Sequence, residues 1–174
     1  AEAIGDADEV VLADGGTYAD AVVAAPLAAD RGAVMLLTDG GSVPAATQGW
    51  LDGHPDVSVT AIGAAAASAA PEAEEVIDGR LSGDLSADVA TLGFDGPARV
   101  GIARADDFAD ALSAGAVLGR RAAGPVLLVG RDTLPGPVAD VLTANATSIR
   151  RAIVLGGKSA VSSTVLDAVA RALA

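Results

Sequence analysis

The residues of this 174-residue chain able to do chemistry are carboxylates near expected strand and helix ends, glycine pairs, and a short set of basic side chains. Asp20 and Asp110 hold the same place in two similar segments, Thr17-Tyr18-Ala19-Asp20-Ala21 and Asp107-Phe108-Ala109-Asp110-Ala111. Matching acids in two segments suggest a ligand site. The spacing suits a simpler role as well: Thr17 and Asp107 stand three positions before each acid, where a cap residue and an acid close a capping box at the positive end of a helix. The capping role is the preferred reading of both. Asp14, Asp39 and Asp132 follow expected strands, on the edge where parallel sheets place ligands. They offer oxygens to a hard cation such as Ca²⁺ or Mg²⁺, but no ligand loop of known spacing surrounds them. Turn chemistry accounts for Asp39-Gly40 and Arg131-Asp132, and no cofactor is expected.

Gly15-Gly16 and Gly156-Gly157 stand between a strand and a helix, where exposed backbone N–H groups can receive an anion, and Lys158 adds charge beside the second pair. Neither pair is a full phosphate-binding fingerprint, and the geometry of a tight turn explains glycine there equally well. The basic candidates for an anionic ligand are Arg99, Arg104, Arg120, Arg121, Arg131, Arg150, Arg151 and Lys158, all in the second half; residues 1–79 contain only Arg31. The ligand contacts selected from these groups are Arg104, Asp110, Arg131, Gly156, Gly157, Lys158 and Asp20. Catalysis is disfavoured. His54 is the single histidine and lies in the turn-like Asp52-Gly53-His54-Pro55, Ser113 falls in mid-helix, and cysteine is absent.

These residues must be positioned by an internal repeat. The Tyr18 and Phe108 segments match at an offset of 90, and the register continues at 91 from Val34-Met35-Leu36-Leu37 to Pro125-Val126-Leu127-Leu128, from Pro44 to Pro135 and from Leu51 to Leu142. Each copy runs strand, amphipathic helix, apolar strand, Pro-containing turn, short helix and third strand. The strands are expected over 10–13, 33–38 and 57–62, and again over 99–103, 125–129 and 152–155. Apolar runs without alternation, separated by helices, point to mainly parallel sheets covered on both faces. Tyr18, Ala21, Val22, Ala25 and Ala28 share one helix face, as do Phe108, Ala111, Leu112, Gly115 and Leu118. A last helix carries the stripe Val161, Val165, Ala168, Val169, Leu173, with Ser162 or Ser163 as its cap.

The order of these pieces resembles the cell wall-binding repeat 2 family. The carriers are Phe108 to Leu112, Pro125 to Leu128, Leu134-Pro135 and Val154-Leu155-Gly156-Gly157, together with Arg80-Leu81-Ser82-Gly83 as the opening of a repeat. The boundaries then fall at 1–79 and 80–174, the first copy being the more divergent and lacking the opening arm. The Arg-Tyr pair that usually follows the arm is absent, since Gly83 leads into Asp84-Leu85-Ser86-Ala87-Asp88. The resemblance implies a small three-layer fold, Toprim-like or Rossmann-like, in sets of three about a threefold or pseudo-threefold axis. Such sets anchor surface-layer proteins and surface enzymes to anionic cell-wall polymers. It also implies an extracellular place at the cell surface, and a third module supplied by a longer parent chain or by a homo-oligomer.

Composition is compatible with that. A hydrophobic fraction of 51% supplies a core, no apolar run is long enough to cross a bilayer, and no secretory signal opens the chain. The net charge of −12 makes nucleic acid an improbable partner and fits either a halophile or a GC-rich genome. Two rivals to anchoring are a surface lattice that binds no polysaccharide and a divalent-dependent phosphoesterase of Toprim-like type. The latter needs an Asp-x-Asp pair at a strand end, and none is present there.

Overall fold

The computed structural model describes residues 7–80, 83–106, 111, 118, 124–157 and 159–174. Six of the described strands are the six expected from the repeat. β1 (Glu9–Asp14), β2 (Val34–Thr38) and β3 (Ser58–Ile62) belong to a first sheet; β5 (Arg99–Arg104), β6 (Val126–Val129) and β7 (Arg151–Val154) form a second. A further strand that the repeat did not foretell, β4 (Glu75–Ile77), extends the first sheet to the order β2-β1-β3-β4, while the second reads β6-β5-β7. Every pairing between these strands is parallel.

The ladder registers show the two sheets to be duplicates. Val11 faces Met35 on one side and Thr60 on the other, while Gly101 faces Val126 and Ile153. The offsets are thus 90 for the first strand and 91 for the second, as the sequence implied, and 93 for the third. Pro44 and Pro135 are both N-caps, of α2 (Ala45–Asp52) and α5 (Gly136–Ala144), with φ of −60° and −61°.

Between their charged ends the central strands are apolar, over 10–13 and 100–103, because both faces are covered. Val11 and Ala13 pack on Val23, Ala24 and Leu27 of α1 (Tyr18–Arg31) and on Val89 of α4 (Leu85–Gly93). On the other face, Val10 and Leu12 meet Trp50 and Leu51 of α2 and Ala66 of α3 (Ala64–Ala69). In the second sheet Val100 and Ile102 meet α5 and α6 (Ser163–Ala172) through Val138, Leu142, Val165 and Val169. Val161, Val165 and Val169 of the expected stripe are buried, but Ser162, the N-cap, makes no side-chain cap bond. Of the stripe drawn through Phe108, Ala111 and Leu118 are described, helical and buried.

Two helices serve both sheets. Val22 of α1 turns away from the first sheet into a cluster with Ala103, Ala111, Leu118, Val126 and Leu155 of the second half. α4 gives Val89 to the first core and Ala87 and Ala90 to the second. Its start is set by Asp84, whose carboxylate accepts the N–H groups of Ser86 and Ala87, and the Ser86 hydroxyl accepts the N–H of Leu128 at 2.9 Å. That bond occupies an outward N–H of edge strand β6.

Candidate functional site

The C-terminal edges of the two sheets hold most of the residues singled out by sequence. On the first, Asp14 ends β1 and is 5% exposed. Its Oδ1 accepts the N–H of Gly16 at 3.1 Å and of Gly40 at 2.9 Å, and its Oδ2 accepts the Thr17 hydroxyl at 2.7 Å. These donors, Thr17 foremost, hold the carboxyl below its ordinary range. Asp14 is therefore a clasp that fixes the loops after β1 and β2. Gly15 N–H donates to the Thr38 carbonyl at 2.9 Å, so both N–H groups of the Gly15-Gly16 pair already have protein acceptors and no anion cradle forms there. Asp39 stands in a tight turn, its backbone bonded both ways to Ser42, with Gly40 at a φ of 54°.

The capping box expected at Thr17 is not formed. Thr17 is the N-cap of α1, but it makes no side-chain cap bond because its hydroxyl is committed to Asp14. Asp20, in the first turn, lies against Gly63 instead, so closely that a Cβ at Gly63 would collide with Asp20 Oδ2. Gly63 has a φ of 88°, a conformation that itself favours glycine. Burial pushes the Asp20 carboxyl up to about 6, and the charge of Asp14 adds to the effect.

On the second edge Arg104 ends β5 and pairs with Asp106, its Nη2 donating to Oδ2 at 2.7 Å. Arg131 Nε donates to the Ser159 carbonyl at 3.1 Å and its Nη1 to Asp132 at 3.2 Å. It therefore ties the loop after β6 to the segment after Gly156-Gly157. Gly156 has a φ of 90°, the counterpart of Gly63, and the Gly157 carbonyl accepts Ala160 N–H at 2.8 Å. Arg104, Arg131, Gly156 and Gly157 thus share one edge. Tyr18 links the edges, its hydroxyl donating to the Ala105 carbonyl at 2.5 Å, and so brings the turn that carries Asp20 beside the second sheet. Asp107, Phe108, Asp110, Ser113, Arg120, Arg121 and Lys158 lie outside the described residues.

The remaining basic residues divide between two places. Arg99 and Arg151 are ladder partners at the opposite, N-terminal edge of the second sheet, with Arg150 next to them. Arg31 is internal: its Nη1 donates to Glu9 at 2.8 Å, Glu75 at 2.6 Å and Thr60 at 3.2 Å. Burial would lower its pKa, but the bonds from Glu75 and Glu9 outweigh that and raise it. His54 Nδ1 lies 2.7 Å from the Trp50 carbonyl and its ring stacks on Trp50 with centroids 3.9 Å apart, so it finishes α2. Sequence reading missed the clasp role of Asp14 and the contact of Asp20 with Gly63. The signal available for the first was Asp-Gly-Gly-Thr, an acid followed at once by donors free to fold back on it.

Comparisons with known proteins agree with this architecture. The family model for Cell wall binding domain 2 (CWB2) matches residues 1–71 and 77–166. Among solved structures the chain is similar to Cwp6 from Clostridium difficile, with a TM-score of 0.80 and 23% identity over 95% of this chain and 27% of that one. It is also similar to Cwp8 from Clostridium difficile, with a TM-score of 0.76 and 20% identity over 97% of this chain and 30% of that one. At these identities the likeness is one of fold, and the chain spans under a third of the length of either structure. No curated protein sequence matches it. With β1, β2, β3 and the whole of the second sheet inside the matched residues, the chain belongs to the Cell wall binding domain 2 (CWB2) family.

Proposed function

We propose that this chain is a non-catalytic module that holds a longer parent protein at the cell surface by binding an anionic cell-wall polymer. The observation that carries this reading is the family match across both repeats, which we divide at residues 79 and 80. The distribution of charge supports it. The arginine of the first repeat is consumed by Glu9 and Glu75, whereas Arg131 is about half exposed at the C-terminal edge of the second. Arg131 is paired with Asp132 of its own loop, so its attraction for a single anion is weak, and a polymer carrying many anions gains through repeated contacts. A third module, from the parent chain or from an oligomer, would multiply those contacts. Among the described residues no helix is long and apolar enough to cross a membrane.

The test is retention of the protein on purified cell-wall polymer at matched ionic strength. Retention should fall as salt rises and should drop in Arg104→Glu and Arg131→Glu variants. Absence of retention, with ordered assembly in solution, would replace polymer binding by a surface lattice.

A further inference from the structure

Asn145 is the single asparagine of the chain, and it opens Asn145-Ala146-Thr147, the acceptor pattern for an N-linked glycan, with no proline at its centre. It is the C-cap of α5, just before the chain enters β7. The fold accounts for Asn145 itself: its backbone N–H and its Nδ2 both donate to the Val141 carbonyl, at 3.1 and 2.9 Å, and so finish the helix. It does not account for Thr147. That side chain is exposed, and its hydroxyl makes no hydrogen bond among the described residues. An amide nitrogen carries two hydrogens; the Val141 bond uses one, and the other is left for substitution.

The surface beside Asn145 suits what such a substituent brings. A groove of about 620 Å³ runs between α4 and α5, and Asn145 is part of its wall. The lining joins the phenyl ring of Phe94 to the carboxylates of Asp95 and Asp140. Both acids are exposed, and neither has an ion-pair or hydrogen-bond partner among the described residues. A pyranose offers the complementary groups: the C–H bonds of one ring face for the phenyl, and hydroxyls that donate to carboxylates. The two negative charges favour a neutral sugar over an acidic one, so this groove is distinct from the edge to which an anionic polymer is assigned.

We propose that Asn145 carries an N-linked glycan whose first, neutral sugars lie in the groove between α4 and α5. The proposal rests on the cell-surface placement of the chain and not on polymer binding. The donor is a saccharide joined through phosphate to a polyprenyl lipid. In the transfer the bond from the anomeric carbon to the phosphate oxygen breaks and the same carbon bonds to Nδ2. One amide proton is released to solvent, and the lipid phosphate leaves with the electron pair. The reaction precedes the closing of this turn. In the folded chain the Asn145 carbonyl accepts the N–H of Ser148 at 3.0 Å and of Ile149 at 2.9 Å, and residues two apart in such a turn do not face one another, so Asn145 and Thr147 cannot be read together. After transfer the remaining N–H of Nδ2 keeps the Val141 bond, and the helix closes as it does without sugar.

The experiment takes the protein from the surface of the cells that make it and digests it with trypsin, which releases 132–150 as one peptide with Asn145 inside. Its mass should exceed that of the bare peptide by whole sugar residues, and fragmentation should place them on Asn145. Thr147→Ala should return the peptide to its bare mass and Thr147→Ser should keep the sugar, while both leave the bond from Asn145 to Val141 in place. The groove has its own readout: amide hydrogen exchange over residues 91–94 should be about threefold slower in the glycosylated chain than in Thr147→Ala. A bare peptide from surface-located protein overturns the proposal. So does sugar that survives in Thr147→Ala, which would mark an O-linked site instead, and equal exchange at 91–94 overturns the groove contact. Recovery of the protein from the cytoplasm alone would overturn the placement, and the glycan with it. Polymer retention is scored separately on the Thr147→Ala protein, so polymer binding and the glycan can each fail alone.

Discussion

Replacing Asp20 with Asn tests the electrostatics of the first edge. The carboxylate is half-buried against Gly63 and faces Asp14, and its pKa is raised from 3.8 to about 6. Below 3.8 it is protonated in both folded and unfolded chains, and it costs the fold nothing. As pH rises from 3.8 to about 6, the unfolded chain releases the proton first, so stability is lost across that window and stays lower above it. At about 1.4 kcal/mol per pH unit the gap sets a ceiling of ~3 kcal/mol. Water reaches this carboxylate, and screening reduces the expected cost to about 1 kcal/mol. Asn keeps the shape and removes the charge. The Asp20→Asn variant should therefore melt about 2–4 °C higher than the parent at pH 7, with the difference vanishing by roughly pH 3.5. Thermal unfolding by circular dichroism across that range is sufficient. A variant that melts lower at pH 7, or a difference that does not change with pH, would refute the reasoning by showing that the ionised carboxylate is a favoured partner.

Three other substitutions or truncations follow from the same contacts. Gly63→Ala should cost about 2 kcal/mol in urea unfolding, from its φ of 88° and the collision with Asp20; adding Asp20→Ala should recover part of that, and full recovery would mean the backbone is unstrained. Arg31→Met should destabilise by about 2–3 kcal/mol because Glu9 and Glu75 are left facing each other, and a loss below about 0.5 kcal/mol would mark the network as solvated. Residues 1–79 expressed alone should lack a cooperative thermal transition, since Val89 of α4 is missing from the first core and Val22 loses its cover; a sharp transition would show that the shared helices are dispensable.

The strands and the duplication were legible in the sequence because they depend on local pattern. Apolar runs such as Val10–Ala13 and Val126–Val129 suit only a strand buried on both faces, and the 90- to 91-residue offset carried that reading from one copy to the other. β4 and its pairing stayed hidden, since Glu75-Val76-Ile77 is too short to have a period and becomes a strand only where β3 supplies its partners. The same limit applied to the edges. Thr17-x-x-Asp20 is a sound capping-box pattern, and the sequence contains nothing that decides between a hydroxyl bonded to the helix and one bonded to Asp14.

By itself the sequence determined that the chain is a repeated, mainly parallel α/β protein with few cations, nearly all in its second half, because periodicity and composition are properties of neighbours along the chain. Only the tertiary structure decided which carboxylate is clasped and which is left half-buried, that α1 and α4 belong to both cores, and that β5 is the central strand of the second sheet. Those outcomes depend on groups far apart in sequence meeting in space, as Arg31 meets Glu75 and Tyr18 meets Ala105.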